Sequence, residues 1–226
     1  MSTLYIVATP IGNLDDITLR ALDILRQVDV IACEDTRHTI KLLNRHDISK
    51  RLMSCHANAE GKAAVRIIAL LEEGKSVAYC SDAGTPGFSD PGSVLVRAVR
   101  DGGFLVVPIP GASAATALVS VSGMRGRGFL FEGFLSPKRG RRRRRLEELT
   151  ALPEPFLIYE SPFRVIKLMT ELADICPERP ILIGREMTKM HEEIIEGTCR
   201  SVLDGLTERG VPRGEFSILV GGKKKD

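Results

Sequence analysis

Short apolar runs alternate with amphipathic segments through the first half of the chain. The runs "LYIVAT", "VIACE", "SVAYC" and "FLVVPIP" are long enough for strands and almost uniformly apolar. Between them, apolar residues recur at intervals of three and four, which predicts helices over "ITLRALDILRQV", "TIKLLNRH", "AAVRIIALLEEG", "GSVLVRAVRDGG" and "SAATALVSV". Because strands of this kind are not half exposed, the pattern predicts a mostly parallel sheet with helices on both faces.

The pattern changes after the glycine-rich stretch "SGMRGRG". Strand runs become more frequent there, at "FLFEGFL", "PFLIYE", "RPILIGREM", "HEEIIEGT" and "EFSILVGG". Three helices are predicted, over the basic run, from "SPFRVIKLM" onward and over "SVLDGLTER". The second of them is expected to have Ser161 as its cap and Pro162 in its first turn. The polar "EEIIEGTCR" favours an edge strand. We therefore predict two α/β domains, residues 1–123 with a mostly parallel sheet and residues 124–226 with a mixed sheet.

Bulk properties exclude several classes of protein. The chain has 226 residues, of which 43% are hydrophobic, so it can bury a substantial core. It has no uninterrupted apolar run of membrane-spanning length, and "LYIVA" lacks the length and basic flank of a signal peptide, which favours a cytoplasmic protein. The 5 cysteines are far apart and form no Cys-x-x-Cys pair, so we expect reduced thiols, no disulfide framework and no metal site.

Positive charge is concentrated in one place. The net charge is only +3, yet "KRGRRRRR" holds seven cations in eight positions, so the remainder of the chain is net negative. Such a run is typical of polyanion binding, but a solvated helix face or a disordered tether has the same composition. The apolar pattern "LEELTAL" follows directly and favours a helix. The candidate RNA-binding residues are Lys138, Arg139, Arg141, Arg142, Arg143, Arg144 and Arg145.

Three loops that follow predicted strands combine proline with glycine. They are "TPIGN", "SDAGTPGFSDPG" and "PGASA". Ligands of parallel sheets bind at the carboxyl ends of strands, so these loops predict a pocket. Neither a Gly-x-Gly-x-x-Gly fingerprint nor a Walker loop occurs there, which argues against classical dinucleotide or nucleoside triphosphate binding. Asp82 could accept a hydrogen bond from a ribose hydroxyl, an amine or a neighbouring backbone amide, and Ser113 precedes a helix with free amides.

The second of these loops contains two separate signals. Residues 81–86 have the composition of a ligand-binding wall at the end of a strand. Residues 89–92 are expected to be structural, with Asp90 capping and Pro91 starting the next helix.

Seven motifs in order carry a family resemblance: "TPIGNL", "ACEDTR", "SDAGTPGFSDPG", "PGASA", "FEGFL", "YESPFR" and "REMTK". The chain resembles the tetrapyrrole-methylase superfamily of S-adenosylmethionine-dependent enzymes. Within it, the chain is similar to the bacterial enzymes that methylate the 2′-oxygen of a cytidine ribose in the decoding region of small-subunit ribosomal RNA. The resemblance implies two α/β domains with S-adenosylmethionine in the cleft between them, a homodimer, and the small ribosomal subunit RNA as partner.

The resemblance also assigns residues to the cofactor site. From the three loops it implies contacts by Pro10, Asp82, Gly84, Thr85, Ser113 and Ala114. From the second domain it implies contacts by Tyr159, Met187 and Glu215. One departure is "SCHANAE", where the family often has a Tyr-His-Glu-His-Asn-Glu segment, so only His56, Asn58 and Glu60 are retained.

Methyl transfer to a ribose hydroxyl needs a group that removes the proton. Either Glu34 or Asp35 could be that general base, and Arg37 could bind a phosphate; His56 is a further candidate base. Lys189 and Arg185 could hold phosphate or polarise the nucleophile. The catalytic candidates are thus Glu34, Asp35, Arg37 and Lys189. Structural roles compete with these: Asp35 as a helix cap, Glu34 paired with Arg37, and Arg185 paired with Glu186.

Two other functions remain open from the sequence. One is a methyltransferase of the same fold that acts on a tetrapyrrole or a protein side chain. The other is a noncatalytic RNA-binding factor that uses the arginine helix alone. The chain has 3 tyrosines, 8 phenylalanines and no tryptophan, so the composition does not indicate an aromatic platform for stacking RNA bases.

Overall fold

A computed structural model describes residues 2–56, 60–124, 128–210 and 213–223. The chain divides into two compact units, residues 1–113 and 114–226. The sequence placed the boundary later, between residues 123 and 124. Helix α5 (Ala114–Ser120) accounts for the difference, because it packs against strands of the second unit and therefore belongs to that unit.

Unit 1 is built on a parallel sheet of five strands. The strand order is β3-β2-β4-β1-β5, and every neighbouring pair is parallel, as the uniformly apolar runs predicted. Its elements are β1 (Thr3–Val7), α1 (Leu19–Gln27), β2 (Val30–Cys33), α2 (Thr36–Arg45), β3 (Arg51–Ser54), α3 (Glu60–Glu72), β4 (Val77–Cys80), α4 (Ser93–Asp101) and β5 (Leu105–Ile109).

Strand β3 is absent from the sequence prediction. It lies at the edge of the sheet and has only four residues, of which Met53 is buried whereas Arg51 and Ser54 are exposed. An edge strand needs only a partial apolar pattern, and a single buried side chain is too weak a signal to detect.

Unit 2 contains a mixed sheet of order β6-β7-β10-β8-β9. Strands β6 and β7 are parallel, and the other neighbouring pairs are antiparallel. The predicted mixed sheet is confirmed, and so is the position of β9 at its edge. Besides α5, its elements are β6 (Leu130–Phe134), α6 (Arg139–Ala151), β7 (Phe156–Glu160), α7 (Val165–Ile175), β8 (Pro180–Arg185), β9 (Glu193–Thr198), α8 (Cys199–Glu208) and β10 (Phe216–Val220).

The predicted start of α7 is wrong. Residues 162–164 form a turn, in which the amides of Arg164 and Val165 both donate to the Ser161 carbonyl at 3.1 Å. The helix begins one turn later, with Arg164 in the capping position and no side-chain cap. The Ser-Pro signal therefore starts a turn that leads into the helix.

Helix α4 is capped from another helix. Its N-terminal capping residue is Gly92, and the buried Glu60 of α3 accepts hydrogen bonds from the amides of Gly92 and Leu95, each at 2.9 Å. The predictions that Asp90 caps this helix and that Pro91 starts it are therefore wrong, because the helix begins at Ser93. Gly92 has φ +137, and a Cβ there would lie 3.1 Å from the Tyr79 ring, so this position requires glycine.

This cap gives a stability prediction. Glu60→Ala leaves two helix amides without their acceptor inside the protein, and we expect it to lower the free energy of unfolding by about 2 kcal/mol. Urea denaturation followed by circular dichroism measures the loss. Glu72→Ala, an exposed position at the other end of α3, is the control and should match the wild type. Equal stability of the two variants would contradict the capping role.

No helix in the described part of the chain is long and apolar enough to cross a membrane. All 5 cysteines are free thiols; Cys176 is half-buried and the other four are buried.

Candidate active site

The three proline-glycine loops lie together at the carboxyl edge of the parallel sheet. Strands β4, β1 and β5 are neighbours, so the loops that follow them are adjacent. Thr9 and Gly84 exchange backbone hydrogen bonds of 2.9 and 3.0 Å, which join the first loop to the second. The Thr85 hydroxyl donates to the Ala112 carbonyl at 3.2 Å, which joins the second loop to the third. The structure thus brings together the loops that the sequence singled out.

Glycine is required where these loops meet. Gly84 has φ +77, a conformation that other residues rarely adopt, and a Cβ there would also contact Ile11. A Cβ at Gly111 would lie 3.1 Å from the Ala8 side chain. Pro10 is buried in the first loop. The loops therefore form a closely packed backbone edge of defined shape.

Asp82 joins the second loop to the end of β2. Its Oδ1 accepts a hydrogen bond from the Asp35 amide at 2.9 Å, and the Glu34 amide donates to the Cys80 carbonyl at 3.3 Å. Of the three kinds of partner considered for Asp82, the structure shows a backbone amide, which belongs to a residue 47 positions away in the sequence. The Asp82 side chain is nevertheless exposed, so the carboxylate also faces solvent at this edge.

The two candidate bases have opposite environments. Burial raises the pKa of Glu34, and the negative charge of Asp82 raises it further. Asp35 caps α2 by accepting from the Arg37 amide at 2.8 Å, and it also binds the Arg37 guanidinium, with the closest contact at 2.6 Å. Hydrogen bonds from Arg37 lower the pKa of Asp35 to about 2. Proton abstraction therefore favours Glu34 over Asp35.

These contacts show which of the structural roles predicted for the charged residues of "ACEDTR" are present. The capping role of Asp35 is confirmed, and Arg37 pairs with Asp35, so the pairing of Glu34 with Arg37 is wrong. His56 is exposed. Asn58 of the "SCHANAE" segment lies outside the described residues.

Tyr159 of β7 reaches the first turn of α5. Its hydroxyl accepts a hydrogen bond from the Ala115 amide at 3.0 Å. We predicted free amides at the start of the helix that follows Ser113, but one of them, the Ala115 amide, is hydrogen-bonded to a side chain of the protein. The Tyr159 ring makes edge contacts with Phe131 and Phe134, with centroids 5.1 and 5.7 Å apart.

The turn after β8 brings the other predicted residues of unit 2 together. Glu186 and Thr188, on either side of the buried Met187, have positive φ values of 49° and 64°. Lys189 Nζ lies 2.9 Å from carboxylate oxygens of both Glu186 and Glu215. Non-glycine residues in this conformation are uncommon and cluster at functional sites.

Glu186 is the member of this cluster that sequence reasoning missed as a site residue. Its carboxylate also accepts from the Glu215 amide at 2.8 Å, so it fixes both partners. The only available signal was its place inside "REMTK". Arg185 instead contacts Glu193 at 3.2 Å and the Arg213 carbonyl at 2.6 Å, so the pairing of Arg185 with Glu186 is wrong.

The seven cations of the basic run are not equivalent. Arg142 is 4% exposed and forms a bidentate pair with the buried Glu171, with two hydrogen bonds of 2.8 Å. Arg145 forms a similar pair with Glu132, again at 2.8 Å. The prediction that Arg142 contacts RNA is therefore corrected, because its guanidinium is held in the interior.

The remaining cations of the run lie on the surface of α6 and at its start. Arg143 and Arg144 pair with glutamates one turn along the helix, at 3.1 and 3.8 Å. Arg139 approaches Glu171 only to 3.9 Å, and within the described residues Lys138 and Arg141 form no ion pair. Pairs of this exposed kind are weak, so these cations can bind an anion instead.

Comparison with known proteins adds three findings. Residues 3–203 match the family described as Tetrapyrrole (Corrin/Porphyrin) Methylases. The chain is 47% identical over 220 residues to "Ribosomal RNA small subunit methyltransferase I" of Borrelia garinii subsp. bavariensis, covering 96% of this chain and 97% of that protein. It is 41% identical over 226 residues to the protein of that name from Bacillus subtilis (strain 168), covering 100% of this chain and 77% of that protein.

Solved structures support the fold. The uroporphyrin-III C-methyl transferase from Thermus thermophilus, complexed with S-adenyl homocysteine, superposes with a TM-score of 0.65 at 19% identity, covering 96% of this chain and 97% of that chain. The described residues contain no group of three or more histidine, cysteine, aspartate or glutamate side chains that could hold a metal ion.

Proposed function

The chain belongs to the tetrapyrrole methylase family, and we propose that it transfers a methyl group from S-adenosylmethionine to small-subunit ribosomal RNA. The observation that carries the proposal is the identity of 41% and 47%, over nearly the whole chain, with two proteins named as small-subunit ribosomal RNA methyltransferases. The finer proposal is that the acceptor is the 2′-oxygen of a cytidine ribose in the decoding region. A homodimer is part of the same proposal.

The three joined loops are the proposed cofactor contact of unit 1. The Gly84 amide and carbonyl are both bonded to Thr9, which fixes the backbone of this edge. The exposed Asp82 carboxylate can accept from a ribose hydroxyl. Pro10, Ser113 and Ala114 complete the proposed set in these loops. Tyr159, Met187 and Glu215 are the contacts proposed from unit 2.

We assign the general base to Glu34. S-adenosylmethionine supplies a methyl group activated on its sulfonium. Glu34 would accept the proton of the ribose hydroxyl as the new oxygen–methyl bond forms, and its raised pKa makes it a stronger base than an ordinary glutamate. Asp35 and Arg37 would act as a pair that fixes the start of α2. Lys189, held between Glu186 and Glu215, is proposed to bind a phosphate of the substrate.

Isothermal titration with S-adenosylmethionine tests the enzymatic part of the proposal. The methyltransferase predicts binding with about one site per chain. Absence of binding would favour the noncatalytic RNA-binding factor.

The exposed cations of α6 give a prediction for RNA binding. Replacing Arg141 and Arg144 with glutamine removes two phosphate-binding charges without disturbing the buried pair of Arg142. We expect weaker binding to small ribosomal subunits and a shallower dependence of log K on log salt, by about 1 unit per charge lost. A double change at Lys41 and Lys62, exposed cations of unit 1, is the control. Unchanged affinity and slope in the Arg141 and Arg144 variant would contradict an RNA-binding role for α6.

A further inference from the structure

Two phenylalanines are exposed at the carboxyl ends of the parallel strands β6 and β7. Phe134 is the last residue of β6 and is 59% exposed; Phe163 lies in the turn after β7 and is 85% exposed. Single exposed apolar side chains are ordinary, but two large aromatic ones at the ends of neighbouring strands indicate a contact surface. We call Phe134 and Phe163 the aromatic platform.

The platform is held in place by buried contacts. Arg164 Nη2 donates to the Leu135 carbonyl at 2.7 Å and to the Glu160 carboxylate at 2.8 Å. Glu160 is buried, and its other oxygen accepts from the Ser161 amide at 2.8 Å. The turn that carries Phe163 is thus fixed to the residue that follows Phe134. An exposed side chain on so constrained a backbone is preorganised for binding, since little order is lost when a ligand arrives.

The platform adjoins a residue assigned to the cofactor. The Phe134 ring meets the Tyr159 ring at a centroid distance of 5.7 Å and an interplanar angle of 63°. Tyr159 in turn binds the first turn of α5. A planar group that rests on Phe134 would therefore lie close to the part of unit 2 that the proposed function places at the cofactor.

Positive charge flanks the same strand end. Only three residues separate Phe134 from Lys138, the capping residue of α6, and Arg139 and Arg141 follow in its first turn, all exposed. Within the described residues Lys138 and Arg141 have no ion-pair partner. Exposed aromatic rings beside unpaired cations match the chemistry of single-stranded nucleic acid, in which bases stack on rings and phosphates bind cations.

We propose that the aromatic platform stacks unpaired bases of the RNA substrate while Lys138, Arg139 and Arg141 bind the adjacent phosphates. This inference rests on the proposed function and specifies how the RNA is held next to the reaction site. The low aromatic content of the chain did not indicate such a platform. Few aromatic residues suffice when two of them are at the surface.

Binding of a fluorescent ten-nucleotide oligocytidine RNA, measured by anisotropy over a salt series, tests the platform. Phe163→Ala should weaken binding about 5- to 150-fold, the range for loss of one stacked base, and should leave the salt slope unchanged. Arg141→Gln should instead reduce the slope by about 0.7, the value for one phosphate contact on a single strand. Phe163→Tyr keeps an aromatic face and should retain most of the affinity. Leu19→Ala, at an 81% exposed position of unit 1, is the matched control.

Two results would overturn the platform. The first is equal affinity of Phe163→Ala and wild type. The second is a change of oligomeric state in Phe163→Ala, seen by sedimentation, which would make this surface an interface between copies of the chain. Methyl transfer to small ribosomal subunits is measured on the same preparations. Transfer by wild type, together with equal RNA affinity of Phe163→Ala and wild type, rejects the platform alone. No transfer by wild type, together with weaker RNA binding by Phe163→Ala, rejects the proposed function alone.

Discussion

Replacing Glu34 with glutamine should lower the turnover of methyl transfer by about 10²- to 10⁴-fold, the usual contribution of a general base. Glutamine has nearly the same shape, so cofactor binding should be unchanged. The reason lies in the local environment. Burial and the Asp82 charge raise the pKa of Glu34, whereas Arg37 lowers that of Asp35 to about 2. Single-turnover transfer of labelled methyl groups, with calorimetry for S-adenosylmethionine, separates the two effects.

Turnover should depend on pH through the protonation of Glu34. A general base acts only when deprotonated, so the rate should fall as the pH falls through the pKa of Glu34. Because this pKa is raised above the ordinary glutamate value of 4.5, the fall should begin at a higher pH than for an unperturbed glutamate. Asp35→Asn is the control, since asparagine can still cap α2. Normal turnover in Glu34→Gln, together with its loss in Asp35→Asn, would show that the assignment is reversed.

Replacing Arg142 with alanine should destabilise unit 2 by about 3–5 kcal/mol, the cost of leaving one member of a buried ion pair without its partner. Arg142 is 4% exposed and Glu171 is 5% exposed, and their two hydrogen bonds of 2.8 Å join α6 to α7. The loss of Arg142 would leave the buried Glu171 carboxylate without its hydrogen-bonded partner, since Arg139 approaches it only to 3.9 Å. Guanidinium denaturation measures the change in the free energy of unfolding.

Arg141→Ala is the matched control, one residue earlier in the same helix. Its side chain is exposed, so the stability should match that of the wild type, while affinity for RNA should fall. Replacing Arg142 with methionine and Glu171 with leucine together should restore most of the stability, because neither buried charge then remains. A stable Arg142→Ala variant that binds RNA weakly would contradict the structural role of this arginine.

The carboxyl edge of unit 1 could be predicted because its signals are local. Uniform apolar runs identify a covered parallel sheet, and the geometry of such a sheet places the loops after its strands at one edge. The contacts of Thr9 with Gly84 and of Thr85 with Ala112 realise that expectation. Asp35 as a cap was equally visible, because capping depends on residues within one turn.

The features that the sequence did not predict depend on distant partners. Glu60 caps a helix 32 residues away, and Arg142 pairs with a glutamate 29 residues away. No local pattern distinguishes these side chains from their solvated neighbours. The five consecutive arginines look alike in the sequence, and only the packing of α6 against α7 makes one of them an interior residue.

The decisive experiment is transfer of labelled methyl groups from S-adenosylmethionine to small ribosomal subunits of a strain that lacks this enzyme. We expect label in the small-subunit RNA, recovered after alkaline hydrolysis in a resistant dinucleotide that contains 2′-O-methylcytidine. Label confined to protein or to a tetrapyrrole, or the absence of label from the RNA, would contradict it.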